Sequence, residues 1–560
     1  MRALRSWRRR CNAFPAGESS SFAWQEVAPC ACRVINVAFL SRYVDALSAP
    51  RSSRGAASIV AVVSLLGKAV GYVRVVLIAY FFGASAGVDA FYVAWGAVVF
   101  FTALAKSAVD MSLLPELSRA DEEATGSGKS LVAAMWWFAA IFSLVGAIGG
   151  MIAPGVVIRL FALGFDVERI RIGAVMILCL IPFGVAAVLR PVVDAWQLHR
   201  GRVAVPGVVE ALFNIVTIPV FLGGIFFWGV FSLPVSMSVG NVSLLLLSLL
   251  IVGDFPLRPG AIPWRSVKMV MKAAGVAVAV AGISGLYQVT DRFFASTLEE
   301  GSVAALSYAE VVFALPNAVL LPVLLVFYAK TCSLFVENPS RAEDATRQTL
   351  AIAWGYFIPV GMCFVALGRP LVSIWFGYGA FDQGAVDLAG ACLSLYALCL
   401  PFVVVRSVLQ RYALVRQSLG KIVLLSVAGV LLNAFFDWFL APRFGAPGIA
   451  AATTCVLFFT VLLFHWYVLP SGLNKAMRRF LGTQTLIALA WGIPLFVWGL
   501  RSELLPCIAG MASLALHLFY GDARGLFEIL PEQWRPLEVL RFLVTRVRSG
   551  VSVFRKTQGE

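Results

Sequence analysis

Between Ile59 and Tyr520 the chain alternates long apolar runs with short polar loops, and most runs approach twenty residues. A helix rises about 1.5 Å per residue, so such a run crosses a hydrocarbon core of about 30 Å. The pattern predicts spans near 57–82, 90–114, 131–152, 172–190, 205–229, 236–253, 270–291, 303–329, 348–366, 388–406, 420–440, 447–470, 483–500 and 504–520. It leaves open the boundaries around Pro219 and Pro234, and whether the last two runs are separate spans or one re-entrant hairpin. No soluble core could hide this much hydrocarbon surface, so the expected class is an all-α polytopic membrane protein.

The short loop GASAGVDAFYVA before the second span finds a faint echo in EEGSVAALSYAEVV before the eighth, six spans later. That spacing fits two six-helix lobes, residues 57–253 and 254–470, followed by two C-terminal helices within 471–520. Residues 1–56 form a basic N-terminal segment, in which Arg33 to Leu47 would suit a short interfacial helix, and a disordered or over-long start is an equal reading. Residues 521–560 form a basic tail, read either as a surface helix on anionic lipid or as a solubilising extension.

Composition sharpens the picture. Of 560 residues, 60% are hydrophobic and 13% charged, with a mean hydropathy of +0.86. The net charge of +15 does not indicate nucleic acid, because Lys and Arg lie in the inter-run loops and the tails, as one-sided membrane topology requires. Arg190, Arg200, Arg202, Arg258, Lys268, Lys330, Arg347, Arg406, Arg411, Arg416 and Lys475 all fall on one side. The loop carrying Arg159, Arg169 and Arg171 is the exception, and the second loop is net acidic. The bias places both termini in the cytoplasm. The cysteines read as small buried hydrophobes, and no metal-ligand spacing, phosphate-binding glycine loop or nucleophile elbow is present. No cofactor is expected, and transport fits better than catalysis.

Ionisable residues inside spans are costly and are the best functional candidates. Lys68 and Arg74 share the first span but lie on opposite faces, beside Gly67 and Gly71. Lys106 and Asp110 are four apart, so an ion pair is one reading and a cation facing a water-filled cavity the other. Glu210 is followed by Asn214 one turn later. Glu310 has no local cation and must face water, take a distant partner such as Lys68 or Arg74, or carry a proton. Arg406 and Arg411 form a basic stripe at the cytoplasmic mouth, and Asp437 with Trp438 looks like an interface pair.

The stretch from Val63 to Ala94 resembles the opening signature of the MurJ/MviN group, the lipid II flippases of the multidrug/oligosaccharidyl-lipid/polysaccharide exporter superfamily. Gly71, Arg74, Gly83, Asp89, Ala90 and Phe91 fall on its G-x-x-R, F-G and D-A-F elements. Asn214 in LFNIV, SYAEVVFALP, Arg369 to Asp382 and Leu431 to Thr453 extend the likeness over about 57–470. The resemblance implies a fourteen-helix fold of the bacterial inner membrane. Its two lobes would enclose a cationic cavity and flip undecaprenyl-pyrophosphate-linked peptidoglycan precursor by alternating access.

The same resemblance makes Arg74 a cavity arginine that engages pyrophosphate, while Lys68 and Lys106, read from the chain itself, would keep the cavity positive. It puts Asp89 at the outer end of the first helix pair. Asp110, Glu310, Gly71 and Asn214 are then structural or gating residues. Partners would be the lipid-linked saccharide, membrane lipids and cell-envelope glycosyltransferases. The chain departs from the pattern where Ala309, Glu310 and Val311 replace Ala-Asp-Arg, removing a cavity arginine, and around Lys106. Another lipid-linked oligosaccharide of exopolysaccharide or O-antigen type, and a non-transporting envelope-assembly scaffold, are the alternative readings.

Overall fold

The computed structural model describes residues 53–123, 127–202, 204–258, 260, 262–416, 418–469, 475–499, 504–520 and 538. The N-terminal segment up to residue 52 and nearly all of the basic tail lie outside these. Regular structure among the described residues is helical throughout. The first half comprises α1 (Ser53–Phe82), α2 (Ala86–Glu123), α3 (Ser127–Ile152), α4 (Pro154–Phe161), α5 (Val167–His199), α6 (Ala204–Ala211), α7 (Phe213–Trp228) and α8 (Ser232–Val252). The second comprises α9 (Trp264–Ala295), α10 (Ser302–Glu337), α11 (Pro339–Ala366), α12 (Gly368–Phe376), α13 (Gln383–Leu398), α14 (Leu400–Val415), α15 (Leu419–Phe444) and α16 (Ala446–Val468). Two more follow, α17 (Lys475–Gly499) and α18 (Leu504–Ala515), the latter running into a π-helical turn to Tyr520.

By length and composition, nine helical stretches among the described residues can cross a membrane, or ten if α13 and α14, bent by 42°, count as one span. The fourteen expected runs shrink for identifiable reasons. Ala204–Val252 is one apolar stretch of 49 residues, yet it doubles back at Gly229 so that α7 packs on α8, and it holds two of the expected runs. Ile508–Leu518 is too short by this measure, and neither α1 nor α10 is among the nine. The bend between α13 and α14 has a local cause in Pro401, which has no N–H to offer the preceding turn.

A recurring element marks both halves. After α3 and again after α11 comes a short amphipathic helix, then a loop closed by an aspartate that caps the next helix. Asp166 accepts from Arg169 N, and Asp382 accepts from Ala385 N at 2.8 Å. Asp166 also accepts from the Arg169 side chain, which holds its carboxyl below the usual carboxylate range.

The two halves join along α2 and α9, and their ends near Gly83 and Gly301 share one core. Tyr308 sits at its centre, fully buried, with ring centroids 5.9 Å from Tyr92, 5.2 Å from Phe376 and 5.2 Å from Phe381. Gly301 enters α10 at φ +86°, and a Cβ there would lie 2.6 Å from the Ala84 carbonyl oxygen. Gly301→Ala should therefore cost about 1–2 kcal/mol and lower the unfolding midpoint of the solubilised protein. Gly146→Ala, inside α3 where an added Cβ meets nothing within 4 Å, should leave the midpoint the same or raise it. An unchanged midpoint for Gly301→Ala would contradict this turn.

Candidate substrate site and the closed end between the halves

In α1, Lys68 is exposed and Arg74 partly buried, as their opposite faces predict. No ion pair among the described residues involves Arg74. Its Nη1 donates to Met237 Sδ at 3.1 Å, its Cζ lies 5.6 Å from the Phe213 ring centroid, and its Nε is buried without a partner. A guanidinium held by a thioether and a ring keeps most of its donors for something else.

The backbone of α1 is fastened beside it. Asn214 Nδ2 donates to Gly67 O at 3.0 Å, and a Cβ on Gly71 would lie 2.9 Å from the same amide nitrogen. Gly67 is equally tight, since its Cβ would meet Ala211 Cα at 2.9 Å. Gly67 lets α1 meet the backbone of α6, and Gly71 leaves room for the Asn214 amide of α7, which is the small-residue packing that membrane helices use.

Lys106 and Asp110 form an ion pair at 2.8 Å, and both are about half exposed. Arg190 pairs with Glu210 and lies 3.6 Å from Asp194. All of these charges lie close enough to act on Asp194, so they make one cluster on α2, α5 and α6. On a membrane-spanning face, exposed charges of this kind are stable only against water. Within the cluster Lys106 is already neutralised by Asp110. On α1, neither Arg74 nor Lys68 takes part in an ion pair among the described residues.

At the opposite end the halves are latched. Asp89, fully buried in the first turn of α2, accepts from Gly301 N and Ala304 N at 2.7 Å each and so caps α10 across the interface. The exchange is reciprocal, because Glu300 Oε1 accepts from Ala86 N at 2.8 Å and caps α2. Tyr308 donates to Gly83 O at 3.0 Å, and Ala380 N to Tyr80 O at 2.8 Å. Reading the sequence alone found Asp89 but not Glu300, whose partner is revealed only when two distant helix starts face each other.

In the second half Asn433 Nδ2 donates to Asp291 Oδ1 at 2.6 Å and to Asp437 Oδ2 at 2.9 Å. Asp437 is therefore no interface residue. It is fully buried, while Trp438 beside it is exposed. Glu310 lines a small cavity with Asp291, Arg292, Gln288, Ser307 and Tyr396. Its cation is thus Arg292 on α9, rather than Lys68 or Arg74. Arg292 in turn lies on the bare backbone of α2, where a Cβ at Gly96 would overlap its guanidinium. These oxygens would suit a proton or a small hard cation; among the described residues no group of three His, Cys, Asp or Glu side chains has metal-site geometry. The i, i+4 pair Asn433 and Asp437, echoing Asn214 on α7, is the signal that would have exposed them.

The basic stripe also needs correction. Arg406 is partly buried, its Cζ 5.4 Å from the Tyr287 ring centroid and its Nε enclosed without a partner, and Arg411 turns back to Ser407 O at 3.2 Å. Aromatic contact and the local carbonyl outcompete the solvent-facing arrangement. At Val311, where the resemblance expects arginine, the backbone carbonyl accepts from the Tyr72 hydroxyl.

An all-α bundle of membrane-length helices, tied together by shared helix caps at one end and carrying a cluster of charges away from it, is that of a polytopic membrane protein. The sequence model described as lipid II flippase MurJ matches residues 78–508, and the chain belongs to that family. A relative from Burkholderia cenocepacia, "Lipid II flippase MurJ", is 25% identical over 498 residues, covering 82% of this chain and 94% of its own length. A "Probable lipid II flippase MurJ" from Thermotoga maritima is 25% identical over 395 residues, 69% of this chain and 79% of the relative. The fold is also similar to a solved "Lipid II flippase MurJ, inward closed conformation", with TM-score 0.71, 17% identity, and coverage of 83% of this chain and 99% of that one. An inward-facing multidrug resistance MATE family transporter of the MOP superfamily aligns with TM-score 0.62 and 14% identity over 76% of this chain and 99% of that one.

Asp89→Ala leaves two buried N–H groups without an acceptor, a loss of about 1–3 kcal/mol each. Spin labels at the exposed sites Phe227 and Tyr378 should then report a longer-distance population, with Asp89→Asn intermediate. An unchanged distance distribution in Asp89→Ala would show that the latch does not hold this end shut.

Proposed function

We propose that the chain carries a polyprenyl-pyrophosphate-linked saccharide across the bacterial inner membrane, with lipid II, the peptidoglycan precursor, as cargo. The headgroup would pass from the cytoplasmic to the outer leaflet by alternating access, while the prenyl tail stays in lipid. In this reading the polypeptide crosses the membrane fourteen times, as two six-helix lobes and two C-terminal helices, with both termini cytoplasmic. The latched end is then the outer one. The observation that carries the proposal is Arg74, a guanidinium inside the bundle with an enclosed Nε and no carboxylate. A pyrophosphate is the complement of such a group, since charge-assisted hydrogen bonds in a low dielectric are the strong ones. Family membership supports the same cargo class, and cell-envelope glycosyltransferases would supply and consume it.

One observation favours a second cargo. Val311 stands where the family resemblance expects a cavity arginine, and Lys106, the cation added on the second span, is tied to Asp110. A site with fewer free cations suits another lipid-linked oligosaccharide of exopolysaccharide or O-antigen type equally in charge. A scaffold without transport would tolerate neutral side chains at Arg74 and Lys68.

The test is complementation of cells depleted of their own lipid II flippase, with headgroup exposure at the outer surface as readout. Arg74→Ala should reduce turnover about 10- to 100-fold, the loss of one or two charge-assisted bonds, and Arg74→Lys should recover part of it. Lys106→Ala should have the smaller effect, because its charge is already spent on Asp110. Full turnover in Arg74→Ala would overturn the proposal. A well-expressed wild-type chain that does not complement would shift the cargo to the second class.

A further inference from the structure

At the latched end, a slot of about 630 Å³ lies between α11, α12, α13 and α17. Its mouth carries one charge of each sign. Arg369 Nε sits 2.5 Å from Asp387 Oδ1, with the Asp387 side chain 54% exposed, and Gln383 Nε2 lies 3.4 Å from the same oxygen. The neighbouring Asp382 is occupied in capping α13. Below the mouth the slot is apolar, lined by Val365, Leu395, Leu398 and Phe496, and the Ser394 hydroxyl is satisfied by Val365 O. Asp387 and Leu398 are eleven residues apart on α13, so the slot runs about 16 Å along that helix. That is about half the 30 Å hydrocarbon thickness of a bilayer, the depth of one leaflet.

We infer that this slot binds a zwitterionic phospholipid, with its phosphate on Arg369, its ammonium on Asp387 and one acyl chain lying along α13 against Phe496. The charge pattern selects the headgroup. A purely anionic head would meet Asp387 as well as Arg369, whereas a phosphoethanolamine head matches both. The resident ion pair can open for it, because half-exposed pairs are weakly held. Packing explains why the slot persists. Gly390 brings the backbone at Arg369 so close that an added Cβ would sit 2.6 Å from Arg369 Cα, which fixes the mouth, while the small residues Gly390 and Ala391 leave room along α13 just behind it. The inference is independent of the cargo, since the slot lies on α11 to α13 and α17 and shares no residue with the Arg74 site.

The test is native mass spectrometry of the full-length protein titrated separately with phosphatidylethanolamine, phosphatidylglycerol and undecaprenyl phosphate. One phosphatidylethanolamine should bind with about three- to fivefold preference over phosphatidylglycerol, the range an exposed ion pair can supply. Asp387→Asn, which keeps the side-chain shape, should reverse that preference, and Ala391→Phe should abolish the bound lipid. Equal or tighter binding of phosphatidylglycerol or undecaprenyl phosphate by the wild type would overturn the inference. So would a preference unchanged in Asp387→Asn, or a lipid retained by Ala391→Phe.

Discussion

The architecture depends on two carboxylates that each terminate the other helix's N-terminus. Asp89 on α2 satisfies the first turn of α10, and Glu300 before α10 satisfies the first N–H of α2. Burying a carboxylate is unfavourable unless its oxygens are fully used, and a helix start offers both unpaired N–H groups and the positive end of the dipole. Asp89 and its partners therefore stabilise each other only while the halves are together. If the halves separate here, water must replace the protein partners of both carboxylates and of all three N–H groups at once. Such an interface has two discrete arrangements rather than a graded one, which is what alternation between a closed and an open end requires.

The rest of the bundle repeats one solution to the same problem. In each half an asparagine on the later helix hairpin reaches the half's first helix, Asn214 to Gly67 O and Asn433 to Asp291. An amide is suited to this because it donates without carrying charge into the membrane. The two ties have diverged in what they hold. In the first half the partner is backbone, and glycines let α1 come close. In the second half the partners are carboxylates, and the lattice of Asp291, Asn433 and Asp437 places acid beneath Glu310 and Arg292. The shared scaffold thus presents free cations on one side and acids on the other.

Much of this was legible in the chain, but unevenly. Helical class, the Lys106 and Asp110 pair and the separation of Lys68 from Arg74 follow from period and spacing, which are local. The membership of Asp89 in a helix pair was visible through its motif. The partners were not, because Glu300 meets Ala86 and Asn433 meets Asp291 across gaps of more than a hundred residues, while Arg292 reaches Glu310 from the preceding helix, and nothing in a single sequence reports such meetings. Asp437 and Arg406 were misplaced for a related reason. Each sits near the end of an apolar run, where a charged residue ordinarily marks the membrane surface, but Asn433 and the Tyr287 ring hold them inside instead.

Charge pairing, rather than charge count, separates scaffold from site in this molecule. Lys106, Arg190 and Arg347 all have carboxylates within ion-pair distance. A paired cation gains little by meeting an anionic ligand, since it must first lose an interaction of similar strength. Arg74 has no such interaction to lose, and its ring and thioether contacts fix its direction while leaving its donors unspent. The desolvation of that guanidinium is endured in the empty protein and relieved when an anion arrives, so the strain falls on the unliganded state. Under the proposed function, a guanidinium poised in this way favours capture of an anionic headgroup, and the release it then requires would come from the latch at the far end changing state.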